Sequence, residues 1–265
     1  MLTATFLHVQ GIGHTTERRL WDAGIGSWDA ALDTDPAELP LSEAQRALLA
    51  PTLEQSRAAL AAGDYAYFAR VLPMSEHWRA APNFMDRIGF LDIETNGGMR
   101  ADDVTIIGVY DGFDSRIYVK DRDMGEFETD AARYALWVTF FGSGFDVPFL
   151  RRRFPDMPFD QMHIDLCSAL RRLGYKGGLK RIEVELGISR AEDVTGLSGM
   201  DAVRLWRQYR RYKDESALEQ LIAYNRADIE NLQLLLAFVF GRLKAAAGYG
   251  GLGKTGQHAE AVVQS

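Results

Sequence analysis

The chain has 265 residues, of which 47% are hydrophobic and 25% charged, and its formal net charge at pH 7 is −7. These values are typical of a globular protein with one large domain, or with one medium domain and one small one. They exclude a disulfide-stapled fold, because Cys167 is the only cysteine, and they argue against a protein that holds nucleic acid by bulk positive charge.

The chain shows no targeting signal that we can identify. Its N-terminus lacks a basic start followed by a long apolar run, and no run of about 18 apolar residues occurs. We therefore expect neither a signal peptide nor a transmembrane helix. With one cysteine, which fits a reducing compartment, this pattern predicts a soluble cytoplasmic protein without a membrane partner.

Residues 1–84 are predicted to form a small helical region. Two capping boxes, at 42–45 and 52–55, are expected to open two helices, which Pro51 would separate. The stretch EHWRAAPNF at 76–84 has little periodicity and is expected to be a linker.

The same region contains HVQGIGHTT, whose Gly-Ile-Gly precedes a predicted helix. It resembles part of the helix-hairpin-helix modules that bind DNA, in which backbone N–H groups at a helix N-terminus reach a phosphate. The likeness covers only half the motif, because residues 3–9 favour β structure over a first helix. It implies that Gly11, Gly13 and Thr15 touch the nucleic-acid backbone, and it favours DNA over RNA. A tight turn packing two elements is the alternative.

Residues 85–244 are predicted to form an α/β domain. Its strands come first as a hairpin series and then alternate with helices, which predicts a mixed sheet flanked by helices. The predicted strands are 89–94, 104–111, 116–120, 137–142 and the start of 162–174; the predicted helices are 126–136, 147–154, the end of 162–174, 179–188, 202–212 and 215–243. The Gly-rich tail, 245–265, is expected to be disordered.

Charge is unevenly distributed along the predicted α/β domain. Residues 151–213 contain 14 basic and 8 acidic residues, whereas residues 91–150 contain 5 basic and 12 acidic ones. A basic surface beside an acidic cluster suits a phosphodiester substrate that approaches carboxylate-bound cations. Solvated helix faces are the alternative reading of the individual arginines.

The sequence FLDIETNG places two acids, Asp92 and Glu94, two positions apart in a predicted strand. Side chains at this spacing point to the same face of a sheet, where two carboxylates next to an apolar core repel each other. A divalent cation between them would balance the charge. Two such cations need further carboxylates, so other acids are expected to converge on this pair.

Two other stretches offer candidates. In YNRADIENL, Tyr224 and Asp228 are four residues apart and share one face of a predicted helix. Asp146 follows a strand and a Gly-Ser-Gly turn in GSGFDVPFL. Taken singly, each has a plain alternative: an aromatic packing contact for Tyr224, and a helix N-cap for Asp146.

In this order, FLDIETNG, GFDVPFL and YNRADIENL resemble the three motifs of the DEDD superfamily of 3′→5′ exonucleases, which have the ribonuclease-H-like fold. A tyrosine in the third motif is typical of the DEDDy branch. The resemblance is greatest to stand-alone bacterial and archaeal ribonuclease-H-like proteins. It implies that Asp92, Glu94, Asp146 and Asp228 bind two divalent cations, Mg²⁺ or Mn²⁺, and that Tyr224 orients the attacking water.

The expected activity is therefore metal-dependent 3′→5′ exonuclease cleavage of single-stranded nucleic acid, with DNA favoured over RNA. Lys176 and Lys180 flank a Gly-Gly pair in YKGGLK and are candidates for contacts with the substrate strand. His163 and Asp165 are interpreted as structural. A non-catalytic nucleic-acid-binding module and a structure-specific endonuclease on the same fold are the alternatives.

Overall fold

The structure, a computed structural model, describes residues 1–192 and 194–249, which fall into two compact units. We call Met1–Asn83, together with the described residues from Ala237, the N-terminal unit. Phe84–Leu236 form the sheet unit. None of the helices in the described ranges is both long enough and apolar enough to cross a bilayer.

Short helices build the N-terminal unit around large buried side chains, among them Phe6, Trp28 and Phe68. The rings of Trp28 and Phe68 stack with their centroids 6.3 Å apart. The α-helices are α1 (His14–Asp22), α2 (Trp28–Asp33), α3 (Glu43–Ala61) and α4 (Tyr65–Val71), and 3-10 helices cover Leu2–Ala4 and Met74–Asn83.

The start of α3 follows the sequence prediction, but its middle does not. The capping box at 42–45 is confirmed, since both of its reciprocal hydrogen bonds form. The predicted break at Pro51 is wrong, because Pro51 lies inside α3. Leu49 and Leu53 on either side of it are buried, and the burial of this face outweighs one missing backbone hydrogen bond at an exposed position.

Two further predictions for this unit are wrong. Residues 3–9 form no strand, and the chain begins instead with the short 3-10 helix. The expected linker at 76–84 is largely a buried 3-10 helix. Its polar residues are buried because they pair: Arg79 lies 2.7 Å from Glu76 and 3.1 Å from Glu17. The pattern of apolar residues alone predicts such a segment to be exposed.

The sheet unit has the predicted α/β fold, with a mixed sheet flanked by helices. Its strands are β1 (Ile88–Thr95), β2 (Val104–Tyr110), β3 (Ser115–Val119), β4 (Leu136–Thr139) and β5 (Met162–Asp165). Its α-helices are α5 (Glu126–Ala131), α6 (Asp146–Arg153), α7 (Leu166–Arg172), α8 (Leu179–Leu186), α9 (Gly199–Tyr212) and α10 (Glu215–Ala246), with 3-10 turns at Met85–Arg87 and Ala101–Asp103. The residues of α10 from Ala237 onward belong to the N-terminal unit.

The strand order in the described sheet is β3-β2-β1-β4-β5. β1 pairs antiparallel with β2, and β2 with β3, whereas β4 and β5 run parallel to β1. β1 and β4 pair only over Ile88–Phe90 and its partners, because β4 ends at Thr139, so β1 extends beyond its parallel neighbour. The acids of β1 lie in this extended half.

Two apolar clusters cover the two faces of the sheet. Leu91, Ile93 and Ile107 belong to a cluster with α5 and α6, whereas Ile106 belongs to one with α9 and α10. Neighbouring residues of a strand thus enter opposite layers, as the pleat requires.

Several element ends differ from the sequence prediction, among them the end of β4, at Thr139 instead of residue 142, and the start of α9, at Gly199 instead of residue 202. The helix expected at 126–136 ends at Ala131, because β4 already begins at Leu136. The last helix continues to Ala246, two residues into the tail predicted at 245–265. The part of that tail from residue 250 onward lies outside the described residues.

Candidate functional site

Asp92 and Glu94 lie on the face of β1 that looks towards α10. They alternate with Leu91 and Ile93, which are buried in the cluster on the other face. From α10, Asn225 Nδ2 donates a hydrogen bond of 2.8 Å to Asp92 Oδ2. The sequence prediction of a same-face pair of carboxylates next to the core agrees with this arrangement.

Asp228 of α10 joins this pair. One carboxylate oxygen from each of Asp92, Glu94 and Asp228 lies within 4.8 Å of the others. Burial raises the pKa values of Asp92 and Glu94 well above the usual range, and repulsion from the neighbouring carboxylates adds to this effect. The cluster is therefore costly unless a cation or protons neutralise it.

The three side chains fit a hard divalent cation. All the converging donors are carboxylate oxygens, the ligands that Mg²⁺ and Mn²⁺ prefer. Asp228 Oδ1 is buried and lies 2.5 Å from Arg190 Nη1. A carboxylate has two oxygens and several acceptor sites, so Asp228 retains the acceptor capacity that a metal site requires.

Asp146 is buried at the first position of α6, apart from the group of three. Its Oδ1 accepts a 3.0 Å hydrogen bond from the backbone N–H of Ile93, in the half of β1 that extends beyond β4. Burial raises its pKa to about 7. The alternative interpretation of Asp146 as an N-cap is wrong, because Phe145 occupies the N-cap position.

The loop before Asp146 is fixed from β5. Asp165 accepts hydrogen bonds from the backbone N–H groups of Phe141 and Ser143, at 3.0 and 3.1 Å. His163 Nε2 and Thr139 Oγ1 are hydrogen-bonded at 2.8 Å. The interpretation of His163 and Asp165 as structural residues agrees with these contacts, which hold the loop that carries Asp146.

Tyr224 lies one helical turn before Asp228 and is only 4% exposed. Its hydroxyl accepts a hydrogen bond from Lys180 Nζ, which also donates to the carbonyl of Leu197. Burial and the nearby acids raise the pKa of Tyr224, so the phenol is protonated at neutral pH. Burial lowers the pKa of Lys180.

A cleft of about 330 Å³ opens beside the acids. One wall consists of the first residues of α8 and α9, whose N-caps are Gly178 and Ser198. Helix N-termini favour anions, so this wall complements a negatively charged ligand. The cleft is lined by Asp92, Phe140, Gly178, Leu179, Lys180, Arg181, Ser198, Gly199, Tyr224 and Asp228.

The other predicted contacts with nucleic acid are dispersed. Gly11, Gly13 and Thr15 are exposed in the N-terminal unit, where Gly11 has φ +83° and Gly13 is the N-cap of α1 without a side-chain cap. Lys176 and Lys180 belong to the sheet unit; Lys176 is exposed, and Lys180 is the half-buried partner of Tyr224.

Sequence reasoning missed four residues that support the acids. Asn225 stands next to Tyr224 in the third motif, so its position on the helix was the available signal. Gly108 of β2 lies opposite Asp92, and Arg190 and Glu183 pair with each other beside Asp228. No local pattern marks these last three, because their roles depend on contacts between distant segments.

Comparisons with known proteins bear on the fold. A family model described as RNase_H superfamily (RNase_H_2) matches residues 89–239, more than half of the chain. A family B DNA polymerase from the hyperthermophilic archaeon Pyrobaculum calidifontis is similar at 15% identity and a TM-score of 0.44, over 60% of this chain and 27% of the polymerase chain. A search of curated proteins finds no match. From the match to the family model, we conclude that this chain belongs to the RNase H superfamily.

Proposed function

We propose that this protein is a metal-dependent exonuclease that removes nucleotides from the 3′ end of single-stranded nucleic acid, with DNA favoured over RNA. The observation that carries the proposal is the convergence of Asp92, Glu94 and Asp228 within 4.8 Å at a cleft that Tyr224 also lines. The 3′→5′ direction and the DEDDy assignment rest on the resemblance of the three motifs.

In this proposal, Asp92, Glu94, Asp146 and Asp228 hold two divalent cations, Mg²⁺ or Mn²⁺. Such cations, when bound, stabilise charge on the reacting phosphodiester oxygens and lower the pKa of water. Like charge and burial make the acids a poor site for anything but a cation, which supports their assignment as ligands.

The remaining groups bind and orient the substrate. The protonated phenol of Tyr224, held by Lys180, is a donor that orients the attacking water one helical turn from Asp228. The first turns of α8 and α9 favour the negative charge of the strand's phosphates. We expect nucleoside 5′-monophosphates as products.

A nucleic-acid contact in the N-terminal unit is a separate part of the proposal. Within the described residues, the first turn of α1 has no side-chain cap and Gly13 before it is exposed, which supports a contact between its backbone N–H groups and a phosphate. Such a contact would involve Gly11, Gly13 and Thr15 and would anchor a strand without reading its sequence.

The test uses 5′-labelled single-stranded DNA and RNA oligonucleotides, each incubated with the full chain in Mg²⁺, in Mn²⁺ or in EDTA. We expect a ladder that shortens from the 3′ end with either cation and not in EDTA. Asp92→Ala should lower the rate by roughly 1,000-fold, or about 4 kcal/mol of transition-state stabilisation.

Glu230→Gln is a matched control, because Glu230 ends the second Asp-Ile-Glu of the chain but is exposed and bonded to Ser115. It should retain the wild-type rate. Binding without cleavage under every condition would contradict the proposal and favour a binding module. Cleavage of a circular single strand, which has no end, would instead identify an endonuclease.

A further inference from the structure

Arg190 is a buried arginine beside the acid cluster that neither the sequence motifs nor the comparisons assign to any role. It follows α8, and its side chain is only 7% exposed. Its Nε and Nη2 donate hydrogen bonds of 2.7 Å to the two carboxylate oxygens of Glu183. Its remaining nitrogen, Nη1, lies 2.5 Å from Asp228 Oδ1.

Glu183 makes this arginine rigid. The Glu183 side chain is buried, and its Oε1 also accepts a 3.0 Å hydrogen bond from Asn231 Nδ2. Asn231 follows Asp228 by one turn of α10, so α8 is tied to α10 at the level of the acid cluster. A guanidinium group held by two hydrogen bonds has little rotational freedom. The direction of Arg190 Nη1 is therefore fixed before any ligand binds.

The contact with Asp228 differs from the contact with Glu183. Arg190 Nη1 and Asp228 Oδ1 form a close ion pair through a single nitrogen, at 2.5 Å. A carboxylate accepts at both of its oxygens, so the pair restrains Asp228 while leaving acceptor capacity for a cation. Glu183 alone would neutralise the charge of Arg190. Charge balance therefore does not explain why Arg190 also contacts Asp228.

We infer that Arg190 is a positioning residue for the cation site, acting through Asp228. It holds the Asp228 carboxylate towards Asp92 and Glu94, in the orientation that a divalent cation needs. The inference rests on the proposed function, because it takes the acid cluster to be a cation site. If Arg190 instead competed with the cation for Asp228, removing Arg190 would strengthen cation binding.

The test is a titration of the metal-free full chain with Mn²⁺, with free Mn²⁺ read by electron paramagnetic resonance. Arg190→Met could fail to fold, because it leaves Glu183 buried and unpaired. The main variant is therefore Glu183→Gln/Arg190→Met, which removes both charges, and Arg190→Lys is the conservative variant. Circular dichroism and thermal unfolding verify that each variant is folded.

We expect the double variant to bind Mn²⁺ about 10- to 100-fold more weakly than wild type, the usual range for a residue that orients a ligand. The Mn²⁺ affinity of Arg190→Lys should fall between those of wild type and the double variant, because one ammonium group cannot make all the contacts of a guanidinium group. The Mg²⁺ concentration for half-maximal hydrolysis should rise in parallel, while oligonucleotide affinity at saturating Mg²⁺ stays constant. Arg204→Met, which removes an exposed arginine of α9, should change none of these values.

The outcomes separate the inference from the proposed function. If wild type binds Mn²⁺ and the folded double variant binds it equally well, Arg190 is only structural and the inference fails alone. Tighter binding by the variant would make Arg190 a competitor and would also overturn the inference. A wild-type chain that binds no Mn²⁺ would overturn the cation site, and both proposals with it.

Discussion

Gly108 supports the acid site through its lack of a side chain. It lies on β2 directly opposite Asp92, and Asn225 packs over it while donating a hydrogen bond to Asp92. A methyl group at Gly108 would come within 1.9 Å of Asn225 Oδ1, too close for the two to coexist. A glycine in the middle of a strand thus has a specific reason here, which is the close approach of a helix side chain.

Gly108→Ala is expected to destabilise the folded chain by about 1–3 kcal/mol, because it displaces Asn225 from Asp92. In an Asn225→Ala background, the same substitution should cost clearly less. Denaturant unfolding of the four proteins of this double-mutant cycle measures the difference. An equal cost in both backgrounds would attribute the strain to Ile117 instead, whose Cδ1 would lie 3.2 Å from the new methyl group.

Asp146 shows how far reasoning about a single residue extends. Its motif predicted a ligand, and its position after a turn offered an N-cap as the alternative. The carboxylate instead accepts a hydrogen bond from the N–H of Ile93 in the unpaired half of β1, beyond the end of β4. That contact depends on where β4 ends beside β1, which no spacing around residue 146 encodes.

At the scale of elements, α3 is the clearest departure from sequence rules. Pro51 has no backbone N–H to donate to the carbonyl four residues earlier, and yet the helix runs on to Ala61. The helix continues because its buried side chains lie on both sides of the proline, so breaking it would expose an apolar face.

Replacing the proline should therefore stabilise α3. Pro51→Ala restores a backbone hydrogen bond and removes a ring clash, and the greater freedom of the unfolded chain offsets part of that gain. We expect the free energy of unfolding to rise by about 1–2 kcal/mol in urea denaturation. Glu54→Ala, an exposed change on the same helix, should stay within about 0.5 kcal/mol of wild type. A destabilised Pro51→Ala would contradict this expectation and would show that the restriction of the unfolded chain by proline outweighs the missing hydrogen bond.

The elements of the sheet unit were more predictable than those of the N-terminal unit. In β1 and β2, short apolar runs that contain β-branched residues determine the element type locally, and the mixed α/β architecture is confirmed. In the N-terminal unit, the sequence predicts a linker around Arg79, but that segment is buried through ion pairs with Glu17 and Glu76. Charge pairs between separate elements leave no periodic signal.

At the scale of the whole molecule, the two units differ in what controls their stability. The sheet unit carries the acid cluster, where repulsion between buried carboxylates opposes folding in the absence of a cation. The N-terminal unit contains His8, whose two ring nitrogens are shielded from solvent without a hydrogen-bond partner in the described chain. The ring of His8 packs against Trp28, with centroids 5.4 Å apart.

Burial lowers the pKa of His8 from 6.5 to about 4. The unfolded chain takes up the proton near pH 6.5 and the folded chain only near pH 4, so folding becomes less favourable as the pH falls between these values. Above pH 6.5, His8 does not reduce the free energy of unfolding. Between pH 6.5 and about pH 4, each pH unit lowers that free energy by up to about 1.4 kcal/mol.

His8→Phe should remove this part of the pH dependence, whatever it does to stability at pH 7. Urea unfolding of wild type and variant at pH 7, 6 and 5 gives the difference in unfolding free energy at each pH. We expect the variant to become more stable relative to wild type as the pH falls. Parallel pH profiles would mean that the folded chain protonates His8 as readily as the unfolded one.

Relations between neighbours along the chain are predictable from the sequence alone. They include the same-face pair Asp92 and Glu94, the one-turn spacing of Tyr224 and Asp228, and the α/β class, because the pleat of a strand and the turn of a helix fix these relations locally. Contacts between distant segments are not predictable in this way. Asn225 meets Asp92 across 133 residues, and Arg190 reaches Asp228 from a loop after α8. Such contacts form only when the sheet and its helices pack together, because the packing energy that favours them is gained only when the core assembles.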